Sequence, residues 1–260
     1  MKKNIGWQKV APWYNKLTES GRGHYYHQHV VIPGVIKLLG FNSNSTIHDS
    51  SFKLLDVACG NGVLAKSLPK DIEYMGVDIA PTLIKEAQRT DHNPKHKYLI
   101  ADVTKPIGSL NSPIAFTHAT IILALQNISN PLAVLQNISK LLVSNSKLVI
   151  VLNHPAFRIP RQSAWGIDPD RKIQYRRVDK YMSPMDIPIR MNPSDPQSEQ
   201  TISYHFPLSD YSKMLKDAGF VIELIEEWTS DKESEGRAGK MENRSRNEIP
   251  LFMAIKAVKI

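Results

Sequence analysis

Three carboxylates and two glycines in the first half of the chain have the types and spacing of a nucleoside site. In Leu54-Leu55-Asp56-Val57-Ala58-Cys59-Gly60-Asn61-Gly62 an apolar run meets an acid and passes into a turn holding Gly60 and Gly62. Glycines there let the backbone reverse tightly and bring N–H groups close to a ligand. Asp78 closes the next apolar run, "IEYMGVD", where a carboxylate can accept both hydroxyls of a ribose. Asp102 closes a third, "LIADV", placed to accept from an adenine amino group beside the apolar Val103. Asp56, leading the turn, would repel a pyrophosphate and can instead hold an ammonium, directly or through water.

Such carboxylates meet only if their strands lie side by side. The chain alternates accordingly. "FKLLDVA", "IEYMGVD", "KYLIAD", "PIAFTHATIIL" and "SKLVIVL" read as strands; "GVLAKSLP", "APTLIKEAQR" and "NPLAVLQNISKLL" read as helices between them. This order predicts an α/β fold, a doubly wound, mostly parallel sheet with helices on both faces. The helix "LSDYSKMLKDAGF", the strand "FVIELIEEW", a polar loop over 229–249 and the strand "PLFMAIKAVKI" follow. With no helix pattern between them, the last two strands can pair as an antiparallel hairpin and bring the sheet to seven strands. The expected organisation is one domain: a helical cap (1–50) with a polar linker at 41–51, a ligand-binding core (51–152), a β-rich lid (153–207), and a terminal helix and hairpin (208–260).

The composition suits a soluble globular domain: 260 residues, 42% apolar and 22% charged. No apolar run approaches a membrane span, and "MKKNIGWQKV" lacks the apolar stretch of a secretion signal. A single cysteine, Cys59, excludes an internal disulfide framework and fits a cytoplasmic location. The net charge of +8 favours anionic partners without separating nucleic acid from a small acidic molecule. Residues 156–190 concentrate that excess, with Arg158, Arg161, Arg171, Lys172, Arg176, Arg177, Lys180 and Arg190 against Asp168, Asp170, Asp179 and Asp186.

A glycine turn with a following acid also describes dinucleotide dehydrogenases. The acid leading the turn, the third acid and the terminal hairpin turn the balance. On these residues the chain resembles class I S-adenosylmethionine-dependent methyltransferases over roughly residues 50–260. Asp56–Gly62 matches the family's first motif with Ala58 where many members have glycine, and Asp78 and Asp102-Val103 match the ribose and adenine contacts. "ATIILALQNISNP" (119–131) matches the stretch lining the methyl-transfer site, although "IAFTHAT" offers Thr117 and His118 where the family often has an acid. Within the class the chain is similar to bacterial small-molecule methyltransferases of the menaquinone/ubiquinone-biosynthesis type, which also tend to carry His-Pro after the fifth strand and "LSDY…AGF" before the sixth. The resemblance implies S-adenosyl-L-methionine as cofactor and S-adenosyl-L-homocysteine as product. It assigns the cofactor to Asp56, Ala58, Cys59, Gly60, Asn61, Gly62, Asp78, Ile79, Asp102, Val103 and Leu123.

Asn153-His154-Pro155-Ala156-Phe157 looks like the Asn-Pro-Pro-Tyr signature of enzymes that methylate amino groups on DNA bases or glutamine amides. That signature follows the fourth strand, where this chain has "LALQN" (123–127), whereas Asn153 follows the fifth, so the likeness is coincidental. The segment after it is a long excursion from the sheet's carboxyl edge. Two β-like runs, "KIQYRRVDKYM" and "EQTISYHF", flank a connection holding Pro184, Pro188, Pro193 and Pro196, as in a lid or substrate wall.

Arg158 and Arg161 are expected to read a carboxylate, phosphate or phenolate there, with Trp165, Tyr175, Arg176 and Arg177 beside them. The N-terminal segment, with Trp7, Trp13, Tyr14, His24, Tyr25, Tyr26, His27 and His29, is expected to lie across the crevice. Its histidines lack a cysteine or second cluster to complete a metal site, so no metal is expected. For proton removal the candidates are His154 and His27. For substrate contact they are Tyr14, Tyr26, Gln126, Asn153, Arg158 and Arg161, with Asn127 beside Gln126. The loop 236–252 is expected to form a third edge of the pocket. The expected function is methyl transfer to a small acidic or aromatic molecule. RNA or protein methylation, and a non-catalytic cofactor-binding module, are the alternatives; nucleic acid is a less favoured partner, and no membrane span is expected.

Overall fold

The computed structural model describes residues 6–17, 25–41, 52–107, 116–191 and 197–260. His24, Pro193, Pro196 and the linker expected at 41–51, apart from Phe41, lie outside those residues. At the centre is a seven-stranded sheet: β1 (Lys53–Val57), β2 (Glu73–Asp78), β3 (His96–Ile100), β4 (Phe116–Ile122), β5 (Leu142–Asn153), β10 (Phe220–Trp228) and β11 (Phe252–Lys259), in the order β10-β11-β5-β4-β1-β2-β3. β3-β2-β1-β4-β5 run parallel; β11 is antiparallel to both β5 and β10. The chain winds outward from β1 to β3, then returns to β4 on the other side of β1. The carboxyl ends of β1 and β4 therefore open a crevice, where such sheets take ligands.

Both faces of the strands are covered, which is why they read as near-continuous apolar runs. Leu55, Leu148, Ile150 and Leu152 pack with α4 (Pro131–Leu141) and α5 (Leu208–Asp217) on one face. Leu54, Val149 and Val151 pack with α2 (Ile32–Leu38) on the other. The N-terminal cap thus divides. α2, preceded by a π-helical turn at His27–Val31, belongs to the core layer, while α1 (Trp7–Leu17) lies on α3 (Pro81–Thr90) with Ala11 against Ala80 and Leu83. Gln8 Nε2 ties the two helices by donating to Thr82 Oγ1 at 2.6 Å.

Three expectations need correction. "GVLAKSLP" is not an α-helix but turns followed by a short 3-10 segment, Ala65–Ser67. Ala58 (φ 55°), Gly60 (φ 58°) and Gly62 (φ 75°) are left-handed, which keeps the chain from entering a helix directly after β1. The 229–249 loop contains α6 (Gly239–Glu248), which packs on the lid. The lid is two hairpins of four strands: β6 (Ser163–Asp168) with β7 (Ile173–Val178), and β8 (Met185–Arg190) with β9 (Gln200–His205). Pro188 sits in β8 on a two-stranded ribbon, where a missing N–H donor is tolerated. No helix among the described residues is long and apolar enough to cross a membrane.

Candidate active site

Above the crevice lies a cavity of about 560 Å³. Its floor is the strand ends and the turns after them, represented by Ala58, Gly60, Asp78, Asp102, Leu123 and Asn153. Its roof is α1, through Trp7, Trp13 and Tyr14, together with the β8–β9 hairpin, through Ile189, Thr201, Ser203 and Tyr204. His27 lines it from the π-helical turn.

At one end the residues form a polar cradle around Gly60, Asp78 and Asp102. Asp78 Oδ2 accepts from the Gly60 amide at 2.9 Å and Oδ1 from the Ala80 amide at 2.8 Å. Each oxygen keeps a lone pair for a hydroxyl, so the carboxylate is aimed and still available. Burial raises the Asp78 carboxyl above its ordinary value in spite of those amides. The left-handed Gly60 lies flat beneath Tyr14, whose ring a Cβ at Gly60 would meet at 3.4 Å. Burial, then the charge of Asp78, raises the Tyr14 phenol, which stays neutral. Ile79 is 53% exposed and Val103 buried beside the cavity, an apolar surface for a planar base. Asp102 Oδ1 accepts from the Thr104 amide (3.0 Å) and hydroxyl (2.6 Å). Burial pushes the Asp102 carboxyl up, but the Thr104 bonds and Lys105 outweigh it and hold it below its usual range.

Asp56 does not reach the cavity. Its Oδ2 accepts from Tyr74 Oη and its Oδ1 from Thr120 Oγ1, both at 2.8 Å, and the residue is 2% exposed. Burial pushes its pKa up to about 6 against those two hydrogen bonds. Asp56 therefore ties β1 to β2 and β4 beneath the cradle, and the ammonium contact expected of it is not made available here. Cys59, Asn61 and Gly62 likewise shape the turn from below without lining the cavity. A Cβ at Gly62 would come within 2.8 Å of Tyr98 Oη, so glycine is required there by space as well as by its φ.

The other end is built around Leu123, held left-handed at φ 52° directly after β4. Its carbonyl accepts from Gln126 Nε2 at 3.0 Å and from Asn127 Nδ2 at 3.1 Å. A leucine in that region costs about 1–3 kcal/mol and persists only when its surroundings enforce it. Gln126 is 8% exposed, and its Oε1 has no hydrogen-bond partner in the protein. Gln126, Asn127, Asn153 and His27 line the cavity, with Ile122, Ile128 and Ser129.

Four expected site residues lie elsewhere. His154 is 5% exposed and points away from the cavity: Nδ1 accepts from the Ala156 amide at 3.1 Å, and Nε2 lies 2.6 Å from Glu227 Oε1. An amide donating to Nδ1 puts the ring proton on Nε2, so both nitrogens are engaged. Burial lowers its pKa, the Glu227 bond opposing, and the ring stays neutral. Arg158 and Arg161 do not line the cavity, and among the described residues no Lys or Arg does. Tyr26 turns its hydroxyl to Ser230 Oγ at 3.1 Å and its ring to Phe252, while Tyr14 covers the cradle rather than the acceptor end.

The loop 236–252 does not reach the cavity either. Its helix α6 braces β7, Ser245 Oγ donating to Gln174 Oε1 at 2.6 Å. Sequence reasoning missed Thr120 and Tyr74, the partners of Asp56, and the cavity residues Ile189, Met191, Thr201 and Ser203. A threonine and a tyrosine inside otherwise apolar strands beside an acid are the signal for the first pair.

Residues 55–148 match the family model described as a methyltransferase domain. An uncharacterized methyltransferase of Schizosaccharomyces pombe is 26% identical over 183 residues, which cover 68% of this chain and 62% of that protein; the chain thus spans less than two thirds of the curated relative it matches. Among solved structures, an S-adenosylmethionine-dependent methyltransferase from Mesorhizobium loti superposes with a TM-score of 0.63 at 20% identity, covering 80% of this chain and 91% of that one. The glycopeptide N-methyltransferase MtfA, solved with S-adenosylmethionine, superposes with a TM-score of 0.54 at 14% identity over 87% of this chain and 94% of that one. The solved structures share the fold described above.

Proposed function

We propose that this chain is an S-adenosylmethionine-dependent methyltransferase and passes the methyl group to a small molecule held with the cofactor in one cavity. A single observation carries this reading. The cradle at Gly60, Asp78 and Asp102 and the polar end at Leu123, Gln126 and Asn153 belong to one space of about 560 Å³, roofed by α1 and the β8–β9 hairpin. Spaces of about 300–1,000 Å³ take small ligands, and this one is of that size.

The cradle's residues fit the cofactor. Asp78 would accept the ribose hydroxyls, Ile79 and Val103 would flank the adenine, and Asp102 would accept from its amino group. S-adenosylmethionine supplies a methyl group on a cationic sulfur, already activated for displacement. The remaining work falls to the chain. It aligns the acceptor behind the methyl carbon, keeps water out, and takes the proton the acceptor loses as its new bond forms and the carbon–sulfur bond breaks. His27, which lines the cavity, is the residue we assign to that proton. The Leu123 turn and Gln126 orient the acceptor.

An acceptor of the aromatic kind fits Trp13, Ile128, Ile189 and Tyr204 in the walls. The likeness to menaquinone/ubiquinone-type enzymes read from His154-Pro155 and "LSDY…AGF" points the same way. The anionic acceptor expected from Arg158 and Arg161 has no such support, since neither reaches the cavity.

The test is to incubate the purified protein with methyl-labelled S-adenosylmethionine and a cell extract, then count label in small-molecule, RNA and protein fractions. Label in the small-molecule fraction is the expected result. Label confined to RNA or protein would overturn the reading and make the basic β6–β7 hairpin a docking surface.

A further inference from the structure

The inner face of β9 is built the wrong way round for a packing strand. Its pattern is Thr201, Ser203 and His205 on one side and Ile202, Tyr204 and Phe206 on the other. Burial alone would put the apolar set inside. Instead Thr201 and Ser203 are the buried ones, at 5% and 7% exposure, while Ile202 and Tyr204 are less deeply buried. His205 on the same face is satisfied, its Nε2 2.7 Å from the Tyr181 carbonyl. The hydroxyls of Thr201 and Ser203 have no hydrogen-bond partner in the protein, and both residues line the cavity. β9 packs against the turn Leu125–Asn127, which carries Gln126 and its equally unpartnered Oε1. Buried polar atoms in folded proteins are nearly always paired, so the unpaired Gln126 Oε1 beside two hydroxyl-bearing residues of the cavity wall calls for a ligand.

We propose that Thr201, Ser203 and Gln126 form the acceptor subsite and that it takes an uncharged, hydroxyl-bearing molecule, an alcohol or a phenol in its neutral form. This deepens the methyltransferase reading and rests on it. Gln126 Oε1 can only accept, so the ligand must donate there; the two hydroxyls can donate or accept, so the ligand group best does both. A hydroxyl meets that requirement. A carboxylate does not. It would set its oxygens against the Gln126 oxygen in a space that no Lys or Arg among the described residues lines, and an unpaired buried charge is heavily penalised. An alkylammonium donates but cannot accept from Thr201 or Ser203. Across the hairpin, Ile187 pairs with Ser203 and Ile189 with Thr201, so the hydroxyls sit in an apolar frame. That frame is what makes an unmatched polar group in the ligand costly and the subsite selective.

The experiment uses the full chain saturated with S-adenosylhomocysteine, with phenol and benzoate as probes of matched size and opposite charge state at pH 7. Affinities are read by ligand-observed NMR titration. Phenol is expected to bind and benzoate to bind at least tenfold more weakly. The double substitution Thr201→Val with Ser203→Ala keeps shape and removes both hydroxyls, and Gln126→Leu removes the lone acceptor. Each is expected to weaken phenol tenfold or more, and the Thr201→Val, Ser203→Ala protein to keep its affinity for S-adenosylhomocysteine and its melting temperature near wild type. Phenol affinity unchanged in both variants, or benzoate equal to or tighter than phenol, overturns the subsite. Failure of the wild-type chain to bind S-adenosylhomocysteine instead removes the reading on which it rests, and calorimetry on the cofactor alone separates the two.

Discussion

His154 and His27 would be equal candidates on chemistry alone, and the structure separates them by place, since His27 lines the cavity and His154 does not. His154 spends both nitrogens on neighbours, Ala156 and Glu227, and is a brace between the end of β5 and β10. His154→Ala is expected to cost about 1–3 kcal/mol of stability, from one unpaired amide and one lost bond to Glu227, and to leave kcat within a few-fold. Because its folded pKa lies below the ordinary 6.5, its unfolded form binds the proton first. Its contribution to stability is therefore full above pH 6.5 and declines as the pH falls below that value.

His27→Gln should do the reverse, with the melting temperature held and kcat down by about 10²–10⁴. Asp78→Asn is expected to weaken S-adenosylhomocysteine about 10–100-fold by calorimetry, since an aimed carboxylate that accepts from ligand hydroxyls is lost. Asp56 behaves differently. Folded, it keeps its proton up to about pH 6; unfolded, it gives it up near 3.8, so its charge costs stability, a cost absent below pH 3.8 and complete above 6. Asp56→Asn, whose amide can still meet Tyr74 and Thr120, is expected to gain about 1–3 kcal/mol at pH 8 and almost nothing at pH 4 in denaturant titrations. The cradle acids at 78 and 102 were legible because Asp78 ends β2 and Asp102 follows β3 within two residues. The burial of Asp56 was not, since it depends on two partners from other strands.

Among the elements, those legible in the sequence are the ones buried on both faces. The inner strands β1, β4, β5 and β11 are apolar runs of this kind, whereas the edge strands β3 and β10, also expected, keep exposed positions. The misread elements are those where a local pattern was overruled. "GVLAKSLP" has helical spacing, yet the left-handed residues before it and the crowding at Gly62 leave room for a single 3-10 turn. Gly62→Ala is expected to destabilise by about 1–2 kcal/mol, from the left-handed φ and the contact with Tyr98. Combining it with Tyr98→Phe should recover part of that loss in a double-mutant cycle, because the atom in the way is the Tyr98 hydroxyl. α6 has the opposite character. "GKMENRSRNE" carries no apolar stripe, and its helix is held by packing on β7, by a Glu242–Arg246 pair at 3.4 Å, and by Asn243 bridging to the Ser234 amide and carbonyl. Such tertiary support cannot be read from periodicity. β9 was recognised as a strand but its faces cannot be assigned from alternation alone, since polar residues line the inner side.

At the scale of the molecule, charge and enclosure pull toward different partners. The net charge of +8 suggests a polyanion, and its concentration over 156–190 suggests a docking arm. Much of that arm is engaged within itself. Arg176 donates to the Phe157 carbonyl at 2.7 Å and lies over the Trp165 ring, Arg177 pairs with Asp179 at 2.9 Å, and Arg171 lies 3.9 Å from Asp168. Retention of RNA on the protein is accordingly expected to be weak and to vanish by about 0.2 M salt, as for non-specific contacts to phosphate.

The shared cavity is the more specific constraint, because the proposed cofactor cradle and the polar pocket line one space. The measurement that tests this most directly is a crystal structure of the chain with S-adenosylhomocysteine bound. The account predicts the ribose on Asp78, the adenine between Ile79 and Val103, and the sulfur directed toward Leu123 and Gln126, with room left beneath Thr201 and Ser203. A sulfur directed away from that end, or toward the outer face of the β6–β7 hairpin, would contradict it.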